Sequence, residues 1–241
     1  MIISHKYRFV MLEAWKTASQ TLRVRLRDHN ESQYPGFFYF NPYLNRVVHQ
    51  HITRAEFACL PESKLGYLTA AFVRNPYDRA YSGFRQLQKD IQDQPAALFP
   101  EPWIGELVRA QLAENFAQLC RTGFDFDAWL GSVRDEQVYE VGRNTNFPLH
   151  PGYYWTHIAD LQAVDFIGRV ETFEADFQRF LSQVRIAQAA QMNENVVDLV
   201  GDAGADPSGY RYVARMNAQS RARINELFAR DFELFGYDKR T

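Results

Sequence analysis

Short apolar runs and longer helix-period stripes succeed one another along the chain. Tyr7 to Leu12 is apolar and β-prone and predicts a strand starting at about residue 7. Leu68 to Val73 reads as the end of a buried strand, Val47 to Ile52 alternates strictly, and Val164 to Val170 gives a late strand. Helical stripes lie between them. Leu22 and Leu26 among arginines follow the first strand, and a stretch rich in Arg, Tyr and Gln follows Pro76. Trp103 to Thr122 carries Ile104, Leu107, Val108, Leu112, Phe116 and Leu119, a stripe expected to be core packing. Thr53-Arg-Ala-Glu56 is a capping-box pattern, and Phe126 to Val133 reads as a short helix capped by Asp125 or Asp127. Glu171 opens a helix bearing Phe173, Phe177 and Phe180, and a last helix runs from about Ala218 to Phe235, ending at Gly236. Residues 30–46, Asp90 to Pro102, Asn144 to His157 and 201–209 read as loops, the last with a composition that suits a gate over a pocket. The order predicts an α/β fold, one domain over 1–241 with a central, mainly parallel sheet flanked by helices.

Composition narrows the function classes. At 241 residues the chain can bury a proper core without a disulfide scaffold. Cys59 and Cys120 lie far apart without CxxC or Cys/His spacing, which argues against a zinc site or redox pair and predicts two reduced, buried thiols. A net charge of −2 argues against a generally basic nucleic-acid binder, although Arg143, Arg211 and Arg215 could form a local patch. The amino terminus has no long apolar core with a cleavage site, and no stretch approaches the length of a membrane span. The expectation is a soluble, cytoplasmic protein without a membrane anchor.

Three places carry candidate chemistry. The strand to Val73 stops at Arg74-Asn75-Pro76, since proline removes a ladder donor and biases Asn75 away from the α region. Arg74 therefore sits at a strand's carboxyl end, with Ser82 about two turns into the next helix. A guanidinium and an oriented hydroxyl suit a phosphate, though an ordinary turn with a surface arginine fits equally well. Lys16-Thr17-Ala18-Ser19-Gln20-Thr21, after the first strand, supplies a cation, hydroxyls and free amides, an anion cradle that lacks the glycines of a Walker A loop. A capped helix with a solvated lysine is the plainer reading of that loop alone. His49 and His51 point to one side of an extended segment. With no carboxylate or cysteine set nearby in sequence, they suit acid–base work better than a metal. The aromatic stretch from Asn144 to His157, with His150, could stack on a sugar or tuck against the core.

The order of these features is specific: Lys-Thr-x-Ser-x-Thr after the first strand, paired histidines, then Arg-x-Pro-x-x-Arg-x-x-Ser from Arg74 to Ser82. It resembles the sulfotransferases that use 3′-phosphoadenosine 5′-phosphosulfate (PAPS), particularly the carbohydrate branch with the uronyl 2-O-sulfotransferases. Phe166-Ile-Gly-Arg-Val-Glu171 and the closing Ala229 to Tyr237 segment join the likeness, which spans nearly the whole chain. The resemblance implies a P-loop-like nucleotide-binding fold, with no metal and with adenosine 3′,5′-bisphosphate (PAP) as product. It also implies a hydroxyl-bearing acceptor, a saccharide or glycoconjugate. By position, Lys16, Thr17, Ala18, Ser19, Gln20 and Thr21 would hold the 5′-phosphosulfate, with Lys16 on the bridging oxygen. Arg74 and Ser82 would hold the 3′-phosphate, and one of His49 and His51 would be the base. Many members read Lys-Thr-Gly-Gly-Thr-Ser where this chain has Lys-Thr-Ala-Ser-Gln-Thr. A nucleotide-dependent kinase of related architecture and a non-catalytic nucleotide- or glycan-binding module are the alternatives.

Overall fold

The computed structural model describes residues 1–34, 37–93, 102–144, 147–187 and 209–241. At its centre is a four-stranded sheet in the order β1-β2-β5-β8. β2 (Phe9–Leu12), β5 (Leu68–Val73) and β8 (Phe166–Arg169) run parallel, with Leu12 opposite Ala71 and Val73 opposite Arg169. The sheet is mainly parallel, as expected, and mixed overall, because β1 (Ile2–Ser4) pairs antiparallel with β2 as an edge strand. The first strand lies ahead of the expected residue 7. Residues 5–8 between β1 and β2 are a polar turn, with Arg8 in the left-handed region at φ 55°.

The strands are buried on both faces, so each reads as a continuous apolar run. Phe9, Met11, Ala70 and Phe72 face Leu22 of α1 (Ser19–Arg25), Leu26 just beyond it, and Phe173, Phe177 and Phe180 of α7 (Phe173–Gln183). Val10, Leu12 and Ala71 face the opposite way, onto Tyr39, Val48, Phe57 and Trp155. Gly168 is required by this packing: a Cβ there would lie 2.5 Å from the Phe72 ring.

Residues 30–46, expected as a loop, contain β3 (Phe38–Asn41), which pairs antiparallel with β4 (Arg46–His49). The Asn41 side chain accepts hydrogen bonds from the amides of Tyr43 and Leu44 and closes the hairpin turn. The capping box appears as expected at α2 (Arg54–Ala58). α3 (Pro76–Asp93) starts at the predicted proline, and α4 (Pro102–Arg121) follows. The α4 stripe is only half core: Ile104, Val108 and Leu119 are buried, whereas Leu107 and Phe116 are exposed. α5 (Phe126–Ser132) is capped by Asp125, and α6 (Asp135–Tyr139) follows it. Tyr153 and Trp155 sit in a short turn at Gly152–Trp155 that tucks against the core, and β6 (His157–Ile158) and β7 (Leu161–Gln162) form a small hairpin. The single closing helix expected over 218–235 is two, α8 (Ala218–Leu227) and α9 (Ala229–Phe235). They break at Phe228, where the Tyr139 hydroxyl donates to the Leu227 carbonyl. Both cysteines are exposed, contrary to expectation. The loop expected over 201–209 lies, apart from Gly209, outside the described residues, as does most of the break before α4. No helix among the described residues is long and apolar enough to cross a membrane.

Candidate functional site

Parallel pairing of β2 with β5 sets the two candidate anion loops side by side, since both follow the carboxyl ends of adjacent strands. Glu13 to Ala18 follows β2, and Arg74 to Asn75 follows β5. The first loop is tightly braced. Glu13 is fully buried and accepts a two-pronged clamp from Arg23 on α1, with Nε to Oε1 at 2.7 Å and Nη2 to Oε2 at 2.6 Å. The Met1 amino group lies 2.8 Å from the same carboxylate. Thr17 directs its hydroxyl back to the Ala14 carbonyl at 3.0 Å, so that side chain braces the loop and only its amide is left to the cradle. Lys16 and Ala18 both adopt left-handed backbone, at φ 59° and 62°. This is where glycine is at ease and other residues are strained. Ser19 is buried and Gln20 is exposed.

Lys16 Nζ donates to Gln86 Oε1 of α3 at 2.9 Å. Gln86 stands one helical turn beyond Ser82, and Ser82 one turn beyond Asp78, so the three form a stripe on α3. Asp78 Oδ2 lies 4.0 Å from Arg74 Nη2. The stripe therefore spans from Arg74 to Lys16, with the buried Ser82 midway. Arg74 is buried, and Asp78 beyond hydrogen-bond distance is its one ionic contact among the described residues. The Asp78 carboxylate is engaged elsewhere: it accepts from Asn75 Nδ2 and from the amides of Arg211 and Tyr212, with Tyr212 stacked on Tyr81. An incoming anion would thus meet a guanidinium whose neighbouring carboxylate is already satisfied.

His49 and His51 lie on one side, as alternation predicts, with rings stacked at 4.6 Å. Both rest on Trp15, the residue before Lys16, at 4.6 and 4.1 Å. Trp15, His49 and His51 line a pocket with Arg46, Glu56 and His150. Arg46 and Glu56 form an ion pair in its wall. His51 Nδ1 faces the Glu13 carbonyl at 2.6 Å. A carbonyl only accepts, so Nδ1 carries the proton and the lone pair is on Nε2. His49 is the opposite tautomer, because its Nδ1 accepts from the His51 amide at 3.4 Å. Burial lowers the His51 pKa to about 3, outweighing the nearby Glu13 carboxylate. Burial, and then His51 beside it, hold His49 well below the ordinary histidine range. His150 donates from Nδ1 to the Val138 carbonyl at 2.7 Å, and burial lowers its pKa to about 4. All three rings are neutral at pH 7.

Trp15 and Gln86 escape sequence reasoning. Trp15 adjoins the lysine loop, yet an aromatic after a strand reads as core. Gln86 could have been found from its helical spacing to Ser82. Of the expected arginine patch, Arg211 and Arg215 share a segment against α3, with Arg215 over the Tyr81 and Tyr212 rings, while Arg143 pairs with Glu140. No group of three or more His, Cys, Asp or Glu able to hold a metal occurs among the described residues.

Comparison with known proteins adds family context. Carbohydrate sulfotransferase 8 of Homo sapiens is 24% identical over 180 residues, 72% of this chain and 40% of that protein. Carbohydrate sulfotransferase 8 of Mus musculus is 23% identical over 181 residues, with the same shares. The match thus spans two fifths of the length of these relatives. No solved structure matches the chain. Residues 1–238 match the model of the sulfotransferase family, over nearly the full 241 residues, and the chain belongs to that family.

Proposed function

We propose that this protein transfers a sulfuryl group from PAPS to a hydroxyl of a carbohydrate or glycoconjugate, with His51 as the general base. The observation that carries this reading is the adjacency of the Lys16 loop and Arg74 at the ends of paired strands, with the histidine pair packed on the residue before Lys16. The residues present fit the nucleotide. Arg74 offers a buried guanidinium that stands 4.0 Å from the Asp78 carboxylate, and Ser82 a buried hydroxyl on the helix that follows, a pair suited to a 3′-phosphate. Lys16, the amides of Thr17 to Thr21 and the Ser19 hydroxyl suit the 5′-phosphosulfate. Ala18, at the position of the first glycine in the Lys-Thr-Gly-Gly-Thr-Ser loop, takes the left-handed backbone that glycine adopts most readily.

When bound, the nucleotide supplies the sulfuryl group. His51 removes the proton of the attacking hydroxyl through Nε2, the nitrogen left with a lone pair by the Glu13 contact. Burial keeps the ring neutral, which leaves the Nε2 lone pair available, while lowering its proton affinity in the protein without substrate. His49, protonated on Nε2, is a donor rather than a base. Lys16 and the loop amides stabilise negative charge as it grows on the leaving oxygen, a role that lowers the barrier only if the contact strengthens in the transition state. Arg74 and Ser82 contribute selection of the nucleotide and no chemistry.

Radiolabelled sulfate transfer from PAPS to a panel of simple saccharides tests this. His51→Ala is expected to lower turnover by about 10²- to 10⁴-fold, the range for loss of a general base, with PAP binding retained. Lys16→Ala is expected to lower turnover as well. Transfer at the parent rate in both variants would remove the assigned roles.

A further inference from the structure

His51 is held by a main-chain atom, and the residue that bears that atom is tied down by an ion pair on its buried carboxylate. Glu13 immediately follows β2 and bears the carbonyl that receives the His51 Nδ1 hydrogen bond at 2.6 Å. Its carboxylate has no exposure and is gripped on both oxygens by Arg23, one turn into α1. The position of the carbonyl is therefore set from the side-chain end of the same residue. Arg23 stands beyond Lys16 in sequence, so the clamp closes the loop on itself: Glu13 at its start, Lys16 within it and Arg23 on the helix that leaves it. Glu13 and Arg23 lie outside the lysine, arginine and histidine motifs.

We propose that Glu13 and Arg23 form a positioning pair for the histidine base, fixing the Glu13 carbonyl so that His51 keeps its proton on Nδ1 and its lone pair on Nε2. The proposal rests on the sulfotransferase reading for its rate consequences and on geometry alone for the tautomer. A two-pronged arginine–carboxylate contact fixes orientation as well as distance, which a single lysine contact does not. Wrong-tautomer histidine is costly to a base-catalysed reaction even when every reacting group is still present.

The test compares the parent with Arg23→Met, Arg23→Lys and Glu13→Gln. Ring-nitrogen correlation spectra of ¹⁵N-histidine-labelled protein give the His51 tautomer directly. The parent is expected to show His51 protonated on Nδ1, and Arg23→Met to show a mixture of tautomers. Turnover in Arg23→Met is expected to fall about 10- to 100-fold, with KM for PAPS changed less than about threefold, because the loss falls on the chemical step. Arg23→Lys is expected to recover part of both signals. Urea unfolding checks that the Arg23 variants, at a side chain one quarter exposed, are folded when the spectra are taken, and Glu13→Gln gives the same readout from the other partner. A parent His51 protonated on Nε2, or an unchanged His51 tautomer in both Arg23→Met and Glu13→Gln, would overturn the proposal. If tautomers shift as expected while the parent neither binds PAP nor transfers sulfate, the clamp stands and the sulfotransferase reading fails.

Discussion

A single non-glycine residue in left-handed backbone is a local cost, and the lysine loop carries two, Lys16 and Ala18. Ala18 also precedes the first residue of α1 and offers no capping side chain. Replacing it by glycine removes the Cβ clash at φ 62°, and Ala18→Gly is expected to stabilise the protein by about 0.5–1 kcal/mol. Urea unfolding measures this, and a destabilised variant would contradict the strain assigned to the loop. The departure from the glycine-containing loop of many relatives was legible in the sequence, but its consequence was not, because residue types do not reveal which one takes φ > 0. The histidine pair was legible for the opposite reason, since alternation in an extended segment fixes sidedness without further information. Which ring keeps its lone pair on Nε2, the ground for proposing His51 as the base, depended on the Glu13 carbonyl, a main-chain atom that no side-chain pattern announces.

Among the elements, the junction of α3, α9 and the turn at Gly152–Trp155 depends on one buried pair. Arg79 Nη2 meets Asp231 Oδ2 at 2.9 Å, and both side chains are 1% exposed. Asp231 also accepts from the amides of Gly152 and Tyr153. Asp231→Ala leaves a buried guanidinium and two amides without their acceptor, and it is expected to cost about 3–5 kcal/mol. A loss below about 1 kcal/mol in urea unfolding would show that the pair is not a structural anchor. Arg79 lies inside the Arg74 to Ser82 motif, so part of that motif serves packing and part faces the candidate site. Strands and long helices were readable from period, and the Thr53–Glu56 cap from its side chains. The β3–β4 hairpin was not, because its turn is closed by the Asn41 side chain between aromatic residues that show no clean alternation. The break between α8 and α9 was hidden as well: apolar period continues through Phe228, and only a tertiary hydroxyl from Tyr139 marks it.

For the whole molecule, buried histidines, His49, His51, His150 and His157, make stability depend on acid. His51 and His150 have pKa values lowered by burial to about 3 and about 4, below the ordinary 6.5 of the unfolded chain. Between those values the unfolded state binds more protons than the folded one. Stability is therefore complete above about pH 6.5 and falls as pH drops toward the folded values. At pH 5 each ring contributes about 2 kcal/mol of lost stability by this linkage. Unfolding in urea from pH 7.5 to 5 is expected to show a falling midpoint, with the slope reduced in His150→Phe. A midpoint that does not change with pH would contradict neutral burial of these rings.

The central claim concerns the molecule as a nucleotide binder, with the Lys16 loop and Arg74 forming one site at adjacent strand ends. Calorimetric titration with PAP, beside adenosine 5′-monophosphate and ATP, tests it most directly. The expected result is binding that requires the 3′-phosphate, weakens by about 1.5–3 kcal/mol in Arg74→Ala as a charged hydrogen bond is lost, and is unaffected by His51→Ala. Absence of PAP binding, a preference for ATP, or full affinity in Arg74→Ala would contradict the account.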